Sequence, residues 1–252
     1  PVPGPAVTCT FYNTQGSRII VDKVTNPSGS SQSFPFQGSW GGAGGTSFSL
    51  TDADAPYQSP NLAAGTYNVS ETVPTGWDLS SATCASSIEG KTQIPGEINL
   101  ASGEIVTCTF TNTQRGQILV DKITSPSGSS QSFEFNPSWS DVNFPLTDAA
   151  AASDSGWLVP GTYSVEELAV EGWDLSTASC SDGSPVIAIA LEAGETVTCT
   201  FTNTQRGQIV VDKVTDPSGS SQQFEFDPSW AGSNFFLTDA AGPKDSGELR
   251  PG

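Results

Sequence analysis

Apolar and polar residues alternate along most of this chain, and the alternation sets its elements. Val106, Cys108 and Phe110 share one parity with Asn112, while Thr107, Thr109 and Thr111 take the other. Ile19 and Val21 line up with Lys23, and Ile118 and Val120 with Lys122. Tyr67, Val69 and Glu71 form another such run, matched by Tyr163, Val165 and Glu167. Successive side chains of a strand point to opposite faces, so each run predicts a strand with one face toward a core. No helical period runs through the chain. The 26 Gly and 18 Pro are spread along it rather than clustered, which puts turns between many short strands. The expected class is all-β.

The strands recur as a set. The stretch from Val106 to Ile118 returns almost letter for letter from Val197 to Ile209, and a looser copy starts at Val7. Behind each copy comes an Asp-Lys pair (Asp22-Lys23, Asp121-Lys122, Asp212-Lys213), then a Phe-x-Phe run, a Ser-Trp and a Leu-Thr-Asp turn. A period near ninety residues is too long for a solenoid and suits an immunoglobulin-like β-sandwich. The boundaries read as 15–113 for one repeat and 114–204 for the next. Residues 205–252 read as an incomplete third repeat, and residues 1–14 as the last strand of a preceding one. The chain is thus expected to be a window on a longer array. Only Thr113-Gln114-Arg115 joins two full repeats, and so short a joint predicts a stiff rod rather than a flexible string.

Composition narrows the function. Asp and Glu number 27 against 9 Lys and Arg, a formal net charge of -18 with no His. Such a chain repels nucleic acid, which is held by clustered Lys and Arg. No stretch is apolar enough to span a bilayer, and the opening Pro1-Val2-Pro3-Gly4-Pro5 carries no signal peptide. Catalysis is not indicated. Without His, a Ser or Cys nucleophile lacks its usual partner, and no Gly-rich phosphate loop opens a helix. No cofactor is implied. Without CxxC or His, a metal site is not expected either.

Five Cys in a chain of this kind predict disulfides. Each repeat has one Cys after Gly-Trp-Asp-Leu and one in its last strand, which pairs Cys84 with Cys108 and Cys180 with Cys199 and leaves Cys9 over. Two further series recur. Asp52 and Asp54, Asp148 and Asp154, and Asp239 and Asp245 offer oxygens to calcium, but Asp in Leu-Thr-Asp is more simply a turn former. Trp40, Trp139 and Trp230 follow Ser, and Trp77 and Trp173 precede Asp-Leu. They read as lids on the cores, with exposed sugar-binding platforms as the alternative. Asn68-Val69-Ser70 is a glycosylation sequon.

Three polar groups close three apolar faces in each full repeat: Lys23, Glu71 and Asn112, then Lys122, Glu167 and Asn203. The early Lys, the Gly-Thr-Tyr-x-Val-x-Glu segment and the closing Phe-x-Asn resemble the Cna B-type, or SpaA-type prealbumin-like, domains of Gram-positive adhesin stalks and pilus shafts. The resemblance covers both full repeats and the start of the third. It implies a prealbumin-like sandwich and a self-formed Lys–Asn isopeptide bond assisted by Glu: Lys23 to Asn112 with Glu71, and Lys122 to Asn203 with Glu167. Lys213 and Asn13 would then have their partners in neighbouring repeats. It also implies a non-enzymatic, extracellular cell-surface segment, whose partners are neighbouring repeats or identical subunits. The chain departs from the family in carrying a disulfide beside the same last strand. Read from the residues alone, the triad fits a Lys–Glu ion pair with the amide beside it equally well. A carbohydrate- or calcium-binding module is the alternative function.

Overall fold

The computed structural model describes Gly4, residues 7–11 and residues 16–252. It is all-β, and it divides into two compact units that change over between Gly116 and Gln117, with Glu192–Glu195 counted in the first. The first holds β1 (Arg18–Asn26), β2 (Phe34–Gly38), β3 (Thr46–Leu50), β4 (Tyr57–Gln58), β5 (Gly65–Tyr67), β6 (Val69–Glu71), β7 (Trp77–Ser86), β8 (Thr92–Gln93), β9 (Ile98–Leu100) and β10 (Ile105–Gln114). One sheet runs β4-β1-β10-β7-β8, and β3-β2-β6 and β5-β9 form the other pieces. Within the larger sheet β1 and β10 are parallel, with Lys23 opposite Phe110 and Thr25 opposite Asn112.

The second unit repeats the plan with β11 (Gln117–Ser125), β12 (Phe133–Pro137), β13 (Phe144–Leu146), β14 (Ser153–Asp154), β15 (Gly161–Tyr163), β16 (Val165–Glu167), β17 (Trp173–Cys180), β18 (Ile189–Leu191) and β19 (Thr196–Gln205). Its sheets are β14-β11-β19-β17, β13-β12-β16 and β15-β18, with β11 and β19 again parallel. The same unit carries β20 (Val210–Val211), β21 (Phe224–Phe226), β22 (Phe235–Leu237) and β23 (Lys244–Asp245), paired as β20-β23 and β21-β22. These repeat the pairings of β1 with β4 and of β2 with β3.

The cores follow the parity of the sequence. Ile19, Val21, Phe34, Phe36, Val106 and Phe110 are buried in the first repeat, and Ile118, Val120, Phe133, Phe135, Val197 and Phe201 in the second. Edge-to-face aromatic pairs recur at matching places: Phe34 with Trp77 (5.2 Å) and Phe133 with Trp173 (5.4 Å). Such pairs add to the area they bury, because the positive ring edge meets the negative ring face. Trp40, Trp77 and Trp173 are buried, while Trp139 and Trp230 are half-buried. The Tyr–Glu run is not one strand: β5 pairs with β9 and β6 with β2, so the chain changes sheet partner between Tyr67 and Val69. Each last strand also faces a bulge. Ser80 and Ser176 are the extra residues, skipped just where Asn112 and Asn203 find their partners Leu79 and Leu175.

The recurring Leu-Thr-Asp acids have structural work. Asp52 accepts from the Thr25 and Gly29 amides, Asp148 from Thr124 and Gly128, and Asp239 from Thr215 and Gly219. Those bonds clasp the Pro-Ser-Gly turn after the first strand, whose Gly29, Gly128 and Gly219 have φ of 83°, 82° and 83°, a region open mainly to glycine. The backbone thus uses these carboxylates, and among the described residues no three acidic or thiol side chains converge as a metal site. Among the same residues no helix is long and apolar enough to cross a membrane.

The disulfides Cys84–Cys108 and Cys180–Cys199 join directly opposed residues of neighbouring antiparallel strands. Cys9 is free and exposed. The first repeat also carries a buried carboxylate knot without counterpart in the second. Glu104 accepts from Ser86 Oγ (2.6 Å), Lys91 Nζ (2.5 Å), Gln93 Nε2 (3.0 Å) and the Ala101 amide (2.6 Å). Burial alone would raise its pKa, but the bonds from Lys91, Ser86, Ala101 and Gln93 outweigh burial and hold it at about 2. A carboxyl depressed in the fold stabilises it above the unfolded pKa and loses that stabilisation as pH falls through the folded value. Thermal unfolding of the chain and of Glu104→Gln, compared across pH, is expected to show a gap that is full above about 4.5 and closes toward about 2. A gap independent of pH would contradict this account.

Candidate functional site

The parallel pairing of first and last strands builds the site. Lys23 lies opposite Phe110 and Asn112 opposite Thr25. Both side chains face the core two residues apart, so the flexible lysine reaches along the seam to the amide. Lys23 Nζ donates to Asn112 Oδ1 at 2.9 Å, to the Val24 carbonyl at 2.7 Å and to the Phe110 carbonyl at 3.2 Å. In the second repeat Lys122 Nζ donates to Asn203 Oδ1 at 3.0 Å, to Ile123 O at 2.8 Å and to Phe201 O at 3.3 Å. Three acceptors match the three protons of an ammonium. An aromatic face lies beside each: Phe34 at 4.0 Å and Phe133 at 4.2 Å from Nζ.

The carboxylates enter from the opposite sheet. Glu71 Oε1 and Glu167 Oε2 each lie 3.7 Å from Nζ, and the side chains of both pairs are almost wholly inaccessible. That distance makes an ion pair but not a hydrogen bond. In the second repeat Asn203 Nδ2 donates to Glu167 Oε1 at 2.5 Å, while Oε2 has no hydrogen-bond partner. In the first, both Glu71 oxygens and Asn112 Nδ2 lack one. Buried polar atoms are seldom left so, and each costs about 1–3 kcal/mol.

Burial also shifts the titrations. It pulls the Lys23 and Lys122 ammonium groups below the usual lysine range, against the attraction of Glu71 and Glu167. Burial likewise pushes Glu71 and Glu167 up, against the nearby Asn and Lys. Burial thus works against the charge on both partners, and the amine lies against a carboxamide.

The third Lys of the repeat series, in the second unit, behaves differently. Lys213 is half-buried, donates to Val214 O at 2.6 Å and lies 4.2 Å from the Phe224 ring. Asn13 lies outside the described residues.

A family model described as a prealbumin-like fold domain matches residues 19–114 and again 118–205. The chain belongs to the prealbumin-like fold domain family. No curated protein matches it by sequence. Among solved structures, this prealbumin-like chain is similar to the Bacillus anthracis TIE protein (TM-score 0.38, 16% identity), covering 92% of this chain and 43% of that one. The chain thus spans less than half of that protein. It is also similar to the major pilin protein (T-13) from Streptococcus pyogenes (TM-score 0.35, 14% identity, 77% and 98% covered). A third is a C-terminal fragment of the pilus adhesin SpaC from Lactobacillus rhamnosus GG (0.31, 16%, 76% and 98%).

Each prealbumin-like repeat brings its Lys, Glu and Asn together, and adds groups that sequence reasoning missed. The Phe34 and Phe133 rings belong to a Phe-x-Phe run whose alternation marks a buried face without naming the lysine as its neighbour. The bulges at Ser80 and Ser176 left no signal in the sequence. Deleting one partner of a buried charged pair exposes the other's desolvation cost. Glu167→Ala is therefore expected to destabilise the second repeat by about 3–5 kcal/mol, read from urea unfolding followed through Trp173. The double change Lys122→Met with Glu167→Leu is expected to cost much less, since no charge is then stranded.

Proposed function

We propose that the chain is a structural segment of an extracellular pilus shaft or adhesin stalk, each full repeat closed by a self-formed Lys–Asn isopeptide bond. The observation that carries the reading is the buried Lys–Glu–Asn triad, built twice at equivalent places between the parallel strand pair and the facing sheet of a prealbumin-like repeat.

The chemistry balances without any added reagent. Burial leaves Lys23 able to shed a proton and act as a nucleophile. Its Nζ attacks the Asn112 side-chain carbonyl carbon, and the protonated Glu71 donates toward the carbonyl oxygen as charge develops there. The new C–N bond forms, the Asn112 C–N bond breaks, and Nδ2 leaves as ammonia carrying the proton that Nζ gives up. Lys122, Glu167 and Asn203 repeat the sequence. Each site reacts once and consumes its own residues, so the protein is not an enzyme. Closure also removes a buried charge and the unpartnered Asn112 Nδ2 amide group, which supports the reading energetically.

The two disulfides fit an oxidising, extracellular location. We take residues 15–113 and 114–204 as the repeats, 205–252 as the opening part of another and 1–14 as the close of one before. The partners are then neighbouring repeats or further copies in a fibre.

Intact mass of the purified chain under reducing, denaturing conditions tests this directly. The expected result is a deficit of two ammonia molecules, with one restored by Lys23→Ala or Glu71→Ala and the other by Lys122→Ala or Glu167→Ala. A mass equal to that of the reduced sequence would sink the isopeptide reading and leave the triads as buried ion pairs.

A further inference from the structure

The two full repeats differ around one aromatic stack: in the loop after Ser-Trp (41–47 against 140–143), at Gly38 against Pro137, and at one register position of the stack itself. In the first, Tyr57 of β4 lies flat on Phe48, with ring centroids 3.8 Å apart and planes at 9°, and beside Trp40 at 6.3 Å and 20°. Its hydroxyl accepts from the Trp40 indole N–H at 3.4 Å, and Trp40 is only 2% exposed. Tyr57 sits opposite Val21. The residue in that register of the second repeat, opposite Val120, is Ser153.

The serine removes a whole ring from the stack. Trp139 and Phe144, the counterparts of Trp40 and Phe48, are both half-buried there, and Trp139 packs edge-on against Tyr163 at 6.4 Å. A groove of about 320 Å³ opens along Pro137, Trp139, Phe144 and Ser153, with Asn143 and Asp154 on its rim. That volume is at the small end of ligand pockets. Asn143 and Asp154 are both exposed. Asp154 accepts from the Gly156 amide at 2.8 Å and sits at the long limit of hydrogen bonding, 3.3 and 3.4 Å, from Gln117 Nε2. Much of its acceptor capacity is therefore open to solvent.

We propose that this groove is a binding site for a neutral pyranose, the terminal sugar of a glycan or a free monosaccharide. The lining is mixed in the way a sugar is. An indole and a phenyl ring offer apolar surface to the C–H face of a pyranose ring. The Asp154 carboxylate and the Asn143 amide flank it where hydroxyls project, and the Ser153 hydroxyl joins them. The carboxylate selects against anionic ligands, as does the net charge of the chain. In the first repeat the same place is occupied by the chain's own Tyr57, so it offers no site. The structural role of the repeats does not depend on this groove, and the site does not depend on isopeptide closure.

The test is a titration of the ¹⁵N-labelled 252-residue chain with galactose, glucose and N-acetylglucosamine, each also as its methyl glycoside. The readout is the Trp139 indole N–H resonance, assigned by Trp139→Phe. A saturable shift in the millimolar range with at least one neutral sugar is expected. Preference for the methyl glycosides would point to a glycan terminus, and equal response to the free sugars would point to monosaccharide. Ser153→Tyr, which installs the residue of the first repeat, is expected to abolish the shift while leaving thermal unfolding in place. No saturable shift with any of these sugars would overturn the proposal. So would a shift that survives Ser153→Tyr, or equal binding of sialic acid.

Discussion

The parallel pairing of the first strand with the last is the constraint on which each repeat depends. Parallel neighbours need a long crossover, and here the crossover is the rest of the repeat. The pairing brings residues some ninety positions apart into one register, Arg18 with Ile105 and Asn26 with Thr113 in the first repeat. Every feature of the buried triad follows. Lys23 and Asn112 share a face because both strands alternate in step, and they lie within reach because the register offsets them by two residues. The opposite sheet supplies Glu71 through β6.

Two kinds of buried carboxylate occupy the same repeat and obey opposite balances. Glu104 is satisfied by four donors, and those bonds outweigh the cost of burying its charge. Glu71 has no hydrogen-bonded donor, and burial prevails. The difference lies in donor count. A carboxylate placed in a core for packing alone would be expected to look like Glu104. Groups left unpaired against a lysine and an amide cost the fold stability where they stand.

Much of this was legible in the residues. The alternation of Val106, Cys108, Phe110 and Asn112 against three threonines gave the buried face of β10, and the recurrence of whole segments gave the repeats. The sandwich class follows from the same patterns, while the early Lys, the Gly-Thr-Tyr-x-Val-x-Glu segment and the closing Phe-x-Asn carried the resemblance to prealbumin-like domains. What was not legible has a common cause: parity names a face but not a partner. The run from Tyr67 to Glu71 keeps its alternation while the chain passes from β9 to β2, so one strand was expected where there are two. The skipped residues Ser80 and Ser176 alter register without altering composition. Ser153 carries no signal alone, and becomes meaningful only when its register opposite Val120 is set beside that of Tyr57 opposite Val21.

Because the first and last strands of a repeat run the same way, the chain enters a repeat at one end and leaves it at the other. Tension applied along the chain therefore loads the β1–β10 seam lengthwise, setting all its hydrogen bonds against the pull together rather than one at a time. Lys23 sits five residues into β1 and Asn112 two residues before the end of β10. A covalent link between them would give force a short path: in along the start of β1, across one side-chain bond, and out through the last residues before Gln114. The two sheets, the aromatic core and the disulfide would then lie off that path. Stretching would meet a nearly inextensible strap, and the sandwich around it would serve to assemble and protect the strap rather than to resist the pull.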